Sequence, residues 1–197
     1  MGPRKRLGIL FNYSETWMGG IYYIVNLIQA LDTLPADKKP KIFIITHHKK
    51  SFRYLQQETQ YPDLIFVQDK SGKPLWQKAL NALTIRAFGK KLIAPKLSDT
   101  YDLLFPNPLG EYFSLIDDTK KAFWIPDFQD VHLPHFYGVD ELVEVKQRHI
   151  AQAYKARKMV LSSRDAERDF VQQFPASRAR VFVIHFSVSH PDFSQVP

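Results

Sequence analysis

The densest run of chemistry-bearing side chains is Pro126-Asp127-Phe128-Gln129-Asp130-Val131-His132-Leu133-Pro134-His135. It follows directly on the apolar run Ala122 to Ile125 and gathers carboxylates, an amide, imidazoles and an aromatic ring. A carboxylate at the end of such a run can hold a sugar hydroxyl or take a proton. Asp127 is therefore the first catalytic candidate and His132 the second, with Phe128 and Gln129 as candidate substrate contacts. His132-x-x-His135 beside an aspartate also has the outline of a metal site. Pro134 breaks any shared helical face, however, and no further ligand is placed, so no metal is expected.

A second constellation is Asn12 to Gly20, which ends in Gly19-Gly20 just before a helical apolar stripe. Glycines there let a backbone approach a ligand closely, and the helix N-terminus offers free N–H groups and partial positive charge to a phosphate. The segment is neither a Walker loop nor a GxGxxG fingerprint, and a turn that merely starts a helix has the same spacing. Asn107, between Pro106 and Pro108, reads as a ligand contact or as turn chemistry. Ser163 is placed as a helix cap, His149 as packing on a helix, and His47 and His48 as a solvated basic loop. His185 and His190 receive no role.

These residues need elements to position them, and the apolar pattern supplies seven strand-like runs. They are Leu7–Phe11, Ile42–Ile45, Leu64–Val67, Tyr101–Phe105, Ala122–Ile125, Met159–Leu161 and Val181–Ile184. Between them lie helical stripes: Ile21, Ile24, Val25, Ile28 and Leu31; a short helix over Phe52 to Gln57; Trp76, Ala79, Leu80, Leu83 and Ala87. A long polar helix over Glu141 to Arg157 and a stripe of Ala166, Phe170, Val171 and Phe174 follow. Continuous apolar strands alternating with helices predict an α/β fold, Rossmann-like, with a predominantly parallel sheet of about seven strands and helices on both faces. Ligands in such sheets sit at the carboxyl ends of the strands, where both constellations fall.

The chain has 197 residues, a net charge of +7 and no cysteine. That length suits one domain with a real core. The absence of cysteine excludes a disulfide framework and a thiolate site, and agrees with a cytoplasmic protein. No run approaches a membrane span, and Leu7 to Phe11 is too short for a signal-peptide core. The positive charge favours anionic partners, but no nucleic-acid motif is present, so nucleic acid is not expected.

Gly19-Gly20-Ile21-Tyr22-Tyr23 with Asn26-Leu27 and Ala30-Leu31 resembles the first loop and helix of GT-B glycosyltransferases, family 4 in particular. Trp124 to Gln129 with His132-Leu133-Pro134 is similar to the mid-domain loop of one branch. Leu161 to Ala166 with Asp169-Phe170, and then Val181 to Val188, look like the elements that precede the interdomain hinge. The resemblance covers essentially the whole chain and rests on the order of these segments together. It implies one half of a GT-B fold: residues 1–190 as the N-terminal, acceptor-binding domain and 191–197 as the start of the hinge, with the C-terminal donor domain absent. The complete enzyme would move a sugar from a nucleoside-diphosphate sugar to the hydroxyl of a sugar or lipid-linked acceptor, with no cofactor and no essential metal. This chain alone would be inactive.

In that picture the Gly19-Gly20 loop lies against the donor phosphates and Asp127 contacts the reacting sugar. Many members carry His just before that aspartate, where this sequence has Pro126, which leaves the base open. A stand-alone, non-catalytic binding domain with a degenerate site is the alternative. The segment Lys73 to Lys96 carries Lys73, Lys78, Arg86, Lys90, Lys91 and Lys96 with no acid. Its apolar stripe suits either covering the sheet or resting peripherally on an anionic membrane surface.

Overall fold

The computed structural model describes residues 3–69, 100–108 and 116–187. In chain order the elements are β1 (Arg6–Leu10), α1 (Met18–Asp32), β2 (Lys41–Thr46), α2 (Lys49–Thr59), β3 (Leu64–Gln68) and β4 (Leu103–Phe105). There follow β5 (Phe123–Ile125), α3 (Gln129–His132), α4 (Val139–Lys155), β6 (Lys158–Leu161), α5 (Arg164–Gln173) and β7 (Arg180–Val183). All seven expected strands are present. The long helix begins at Val139 and ends at Lys155, two residues earlier at each end than the Glu141–Arg157 pattern suggests. The expected helix over Trp76 to Ala87, the basic segment Lys73 to Lys96 and the hinge 191–197 lie outside the described residues.

Every strand pairing is parallel, and the order is β3-β2-β1-β4 in one ladder and β5-β6-β7 in a second. The single sheet expected from sequence is thus two ladders joined at one step. The joint is a parallel bridge between Leu104 and Lys121, with Ala122 N–H donating to the Leu104 carbonyl at 2.9 Å. β4 cannot run further because Pro106 brings no N–H to the ladder. The next residue takes over: Asn107 Oδ1 accepts from the Trp124 N–H at 2.7 Å, and Asn107 N–H donates to the Ala122 carbonyl at 3.2 Å.

Side-chain parity shows that the two ladders share faces. Ile9, Ile42, Ile44, Phe105, Trp124 and Val160 pack with Ile21, Ile24 and Ile28 of α1 and Leu55 of α2 on one side. On the other side Phe123, Ile125, Met159 and Leu161 pack with Ala153 of α4 and with Ala166 and Phe170 of α5. Consecutive residues of β5 and β6 divide between the two layers, as the two-residue period of a strand requires. The fold is therefore α/β and Rossmann-like, with helices on both faces. Ser163 caps α5 as its type suggests, its Oγ accepting from the Ala166 N–H at 3.0 Å. Among the described residues no helix is long and apolar enough to cross a membrane.

Candidate functional site

The strand order reverses between β1 and β4, and the crevice beyond the carboxyl ends at such a reversal is where open α/β sheets bind ligands. A cavity of about 490 Å³ lies there. Trp17 from the β1–α1 loop, Asn107 after β4, and Pro126, Asp127 and Gln129 after β5 line it, with Trp124 beneath. The rest of its wall is Asp130, Tyr137 and one stripe of α4: Glu141, Val145, Arg148, His149 and Gln152. A second cavity of about 400 Å³ opens beyond β6 and α5, lined by Ser163, Asp165, Arg168, Asp169 and His132. Asp127 and Gln129 line both cavities, so the loop after β5 is a ridge between them.

Asp127 is exposed, and its Oδ1 accepts from the Gln129 N–H at 3.2 Å, starting the short helix α3. The loop is locally ordered, by α3 and by a 3-10 turn at Pro134–Phe136. Phe128, expected to touch substrate, has its ring in the core. It is 2% exposed, with ring centroids 5.2 Å from His149 and 6.3 Å from Phe174. Its burial anchors the ridge whose polar neighbours reach the cavities. His132 is paired: Nε2 lies 2.8 Å from Oδ2 of Asp169 on α5. His135 instead lies against the Phe136 ring, at 4.5 Å.

Asn107 borders the first cavity, but its side-chain carbonyl is used by the β5 backbone. Its φ of 52° puts it in the left-handed region, which asparagine tolerates better than most residues. The two glycines differ from one another. A Cβ on Gly19 would meet nothing within 4 Å, whereas a Cβ on Gly20 would lie 2.5 Å from carbons of the Trp17 ring. Gly19 is therefore the glycine that leaves the start of α1 open. No side chain caps that helix N-terminus.

Several site residues were not singled out from sequence. Asp130 and Gln152 are each 3% exposed, and His149 Nδ1 lies 3.5 Å from Asp130 Oδ1. Burial pushes the His149 imidazole below its ordinary pKa, and the Asp130 carboxylate partly opposes that shift. Gln152 Oε1 is buried with no hydrogen-bond partner among the described residues. Trp17 is half-exposed, 5.6 Å from Trp124, which in turn stacks on Tyr23 at 4.2 Å and donates from Nε1 to Ser162 Oγ. The Tyr23 hydroxyl is buried without a partner among the described residues, and burial raises its pKa to about 12. The signal for the α4 wall was present in the helical spacing of residues 141, 145, 148, 149 and 152, but a polar helix reads equally as a wet face.

No protein-family model matches the chain, and no curated protein matches it either. Among solved structures it is similar to one from Listeria monocytogenes described as a UDP-N-acetylglucosamine 2-epimerase, at 12% identity and a TM-score of 0.47. The match covers 92% of this chain and 45% of that one, so the chain spans less than half the length of the protein it resembles.

Proposed function

We propose that this chain is the acceptor-side half of a GT-B-type glycosyltransferase, and that the cavity at the β1–β4 reversal receives the acceptor. One observation carries the reading. The β1–α1 loop, Asn107 and the Asp127–Gln129 ridge, far apart in sequence, converge on one cavity at the strand edge where ligands bind. The order of the Gly-Gly, Pro-Asp-Phe-Gln and Ser-Ser segments along the chain supports it.

In the reaction the acceptor oxygen bonds to the anomeric carbon and the bond from that carbon to the donor phosphate oxygen breaks. The electron pair leaves on the nucleoside diphosphate, and the hydroxyl proton passes to Asp127 or to His132. Asp127 suits that role by position, since β5 holds it at the edge of both cavities. His132, oriented by Asp169, is the second acceptor for the proton. The uncapped start of α1 at Gly19 faces open space and suits the donor diphosphate.

The test is release of nucleoside diphosphate from nucleotide sugars by a two-domain protein that carries this half, with the 197-residue chain assayed beside it. Acceptor-dependent release by the former and none by the latter is expected, because one half cannot orient both reactants. Turnover by the 197-residue chain alone, or none by the two-domain protein, overturns the reading.

A further inference from the structure

The first cavity has a charge opposite to that of the protein that carries it. The chain is +7 overall, yet the cavity presents the carboxylates of Asp127, Asp130 and Glu141 against one guanidinium, that of Arg148. His149 adds no lasting positive charge, because its burial favours the neutral ring. An independent feature points the same way. Gln152 lines the cavity, is 3% exposed, and its Oε1 has no hydrogen-bond partner among the described residues. A buried carbonyl oxygen left without a donor is costly and uncommon, so its donor is expected from whatever fills the space. The half-exposed indole of Trp17 closes the cavity on a third side, and an indole face attracts both sugar C–H faces and cations.

From the carboxylates, the orphan amide oxygen and the indole together, we infer that the cavity binds a hydroxylated ring bearing an ammonium group, such as an amino sugar or an aminocyclitol. The ring hydroxyls and the ammonium supply donors to the carboxylates and to the Gln152 carbonyl oxygen, and the ammonium adds the positive charge that three carboxylates against one guanidinium favour. This rests on the reading of the cavity as a sugar site and names the chemistry of the sugar.

Three probes separate the parts: D-glucosamine, D-glucose and ethanolamine, each titrated against the 197-residue chain at about pH 6.5, where the amines are charged. Saturation-transfer NMR and tryptophan fluorescence read the binding, since Trp17 lies in the wall. D-Glucosamine is expected to bind about tenfold more tightly than either other probe, the margin of one charge-assisted hydrogen bond. Glu141→Gln, a change at an exposed helix position, should remove most of that margin, weakening D-glucosamine far more than D-glucose.

Equal binding of D-glucose and D-glucosamine overturns the ammonium assignment and leaves the sugar site standing. Ethanolamine binding as tightly as D-glucosamine overturns the ring. Binding by none of the three overturns both this inference and the cavity as a sugar site. A margin that survives Glu141→Gln and also Asp127→Asn would place the ammonium elsewhere and overturn the assignment to this wall.

Discussion

The six-membered ring of Trp17 occupies the space that a side chain on Gly20 would need, its carbons lying 2.5 Å from an ideal Cβ there. Trp17 in turn walls the candidate site and sits 5.6 Å from Trp124. Bulk at Gly20 therefore acts first on an indole, whereas bulk at Gly19 enters open space. Gly20→Val should expel Trp17, shift its fluorescence towards that of a solvated indole and cost about 1 kcal/mol of lost aromatic contact. Gly19→Ala lies in the first turn of α1 and should be neutral or stabilise by about 0.5 kcal/mol. Urea denaturation checks both. If the α1 start receives the donor, Gly19→Val lowers donor use in the two-domain protein without loss of stability. Unchanged donor use would make both glycines purely structural.

Asn107 should prove to be a joint of the sheet whatever else it touches. Its Oδ1 is the partner of the Trp124 N–H, and its backbone is at φ 52°. Asn107→Ala orphans that N–H, which costs about 1–3 kcal/mol, and adds about 1 kcal/mol because alanine lacks the short polar side chain with which asparagine tolerates the left-handed region. Asn107→Gly relieves the backbone but keeps the first cost. Asn107→Asp keeps an acceptor and should recover most of the loss. Urea midpoints in the order wild type, Asp, Gly, Ala are the expected result; an unchanged midpoint for Ala would remove Asn107 from the joint.

The strands were legible because each is a short continuous apolar run bounded by turn residues, the pattern of a sheet buried on both faces. The loop after β5 was legible because polar chemistry is concentrated in one place. What could not be read were relations between distant segments. The His132–Asp169 pair spans 37 residues, and the Asn107–Trp124 bond depends on where β4 stops. The wall of α4 depends on which strand its helix covers, so Gln152 looks like any exposed helical glutamine until the sheet is assembled. Phe128 shows the same dependence: its ring joins the core beneath the loop, and the residue also lines the second cavity, a double placement that only the assembled fold reveals.

Asp127→Asn separates structure from chemistry. Among the described residues the carboxylate accepts a hydrogen bond from the Gln129 N–H at 3.2 Å, and an asparagine oxygen can accept it equally. The thermal midpoint should stay within about 2 °C of wild type, since exposed changes of this kind fall within about 0.5 kcal/mol. If Asp127 takes the proton or anchors the acceptor, turnover by a two-domain protein that carries this half should fall about a hundredfold or more. Neutral activity, or unfolding, would remove Asp127 from the site.

The His132–Asp169 pair should matter little for stability. His132 is 60% exposed as a side chain, and exposed ion pairs contribute at most about 1 kcal/mol. Asp169→Asn should leave the urea midpoint nearly unchanged. If His132 takes the acceptor proton, His132→Ala should cost about a hundredfold in turnover and Asp169→Asn less. The reverse ranking would show that Asp169 itself meets the substrate and that the imidazole merely holds it.

His149 should make stability pH-dependent, and the direction follows from the cause of its shift. Burial lowers its pKa in the folded state below the ordinary 6.5, so between the two values the unfolded chain binds more protons than the folded one. The stability that the neutral ring contributes is fully present above about 6.5 and is lost as pH falls through that window towards the folded value. His149→Gln cannot protonate, so its urea midpoint should fall less between about pH 7.5 and pH 5 than that of the wild type. Asp130 holds the His149 value up against burial. Asp130→Asn should therefore lower the folded value further and extend the loss of stability to more acid pH. Parallel midpoint curves for the wild type and His149→Gln would mean that the ring titrates in the fold as it does in the unfolded chain. Burial would then not govern the protonation of the Asp130–His149 pair.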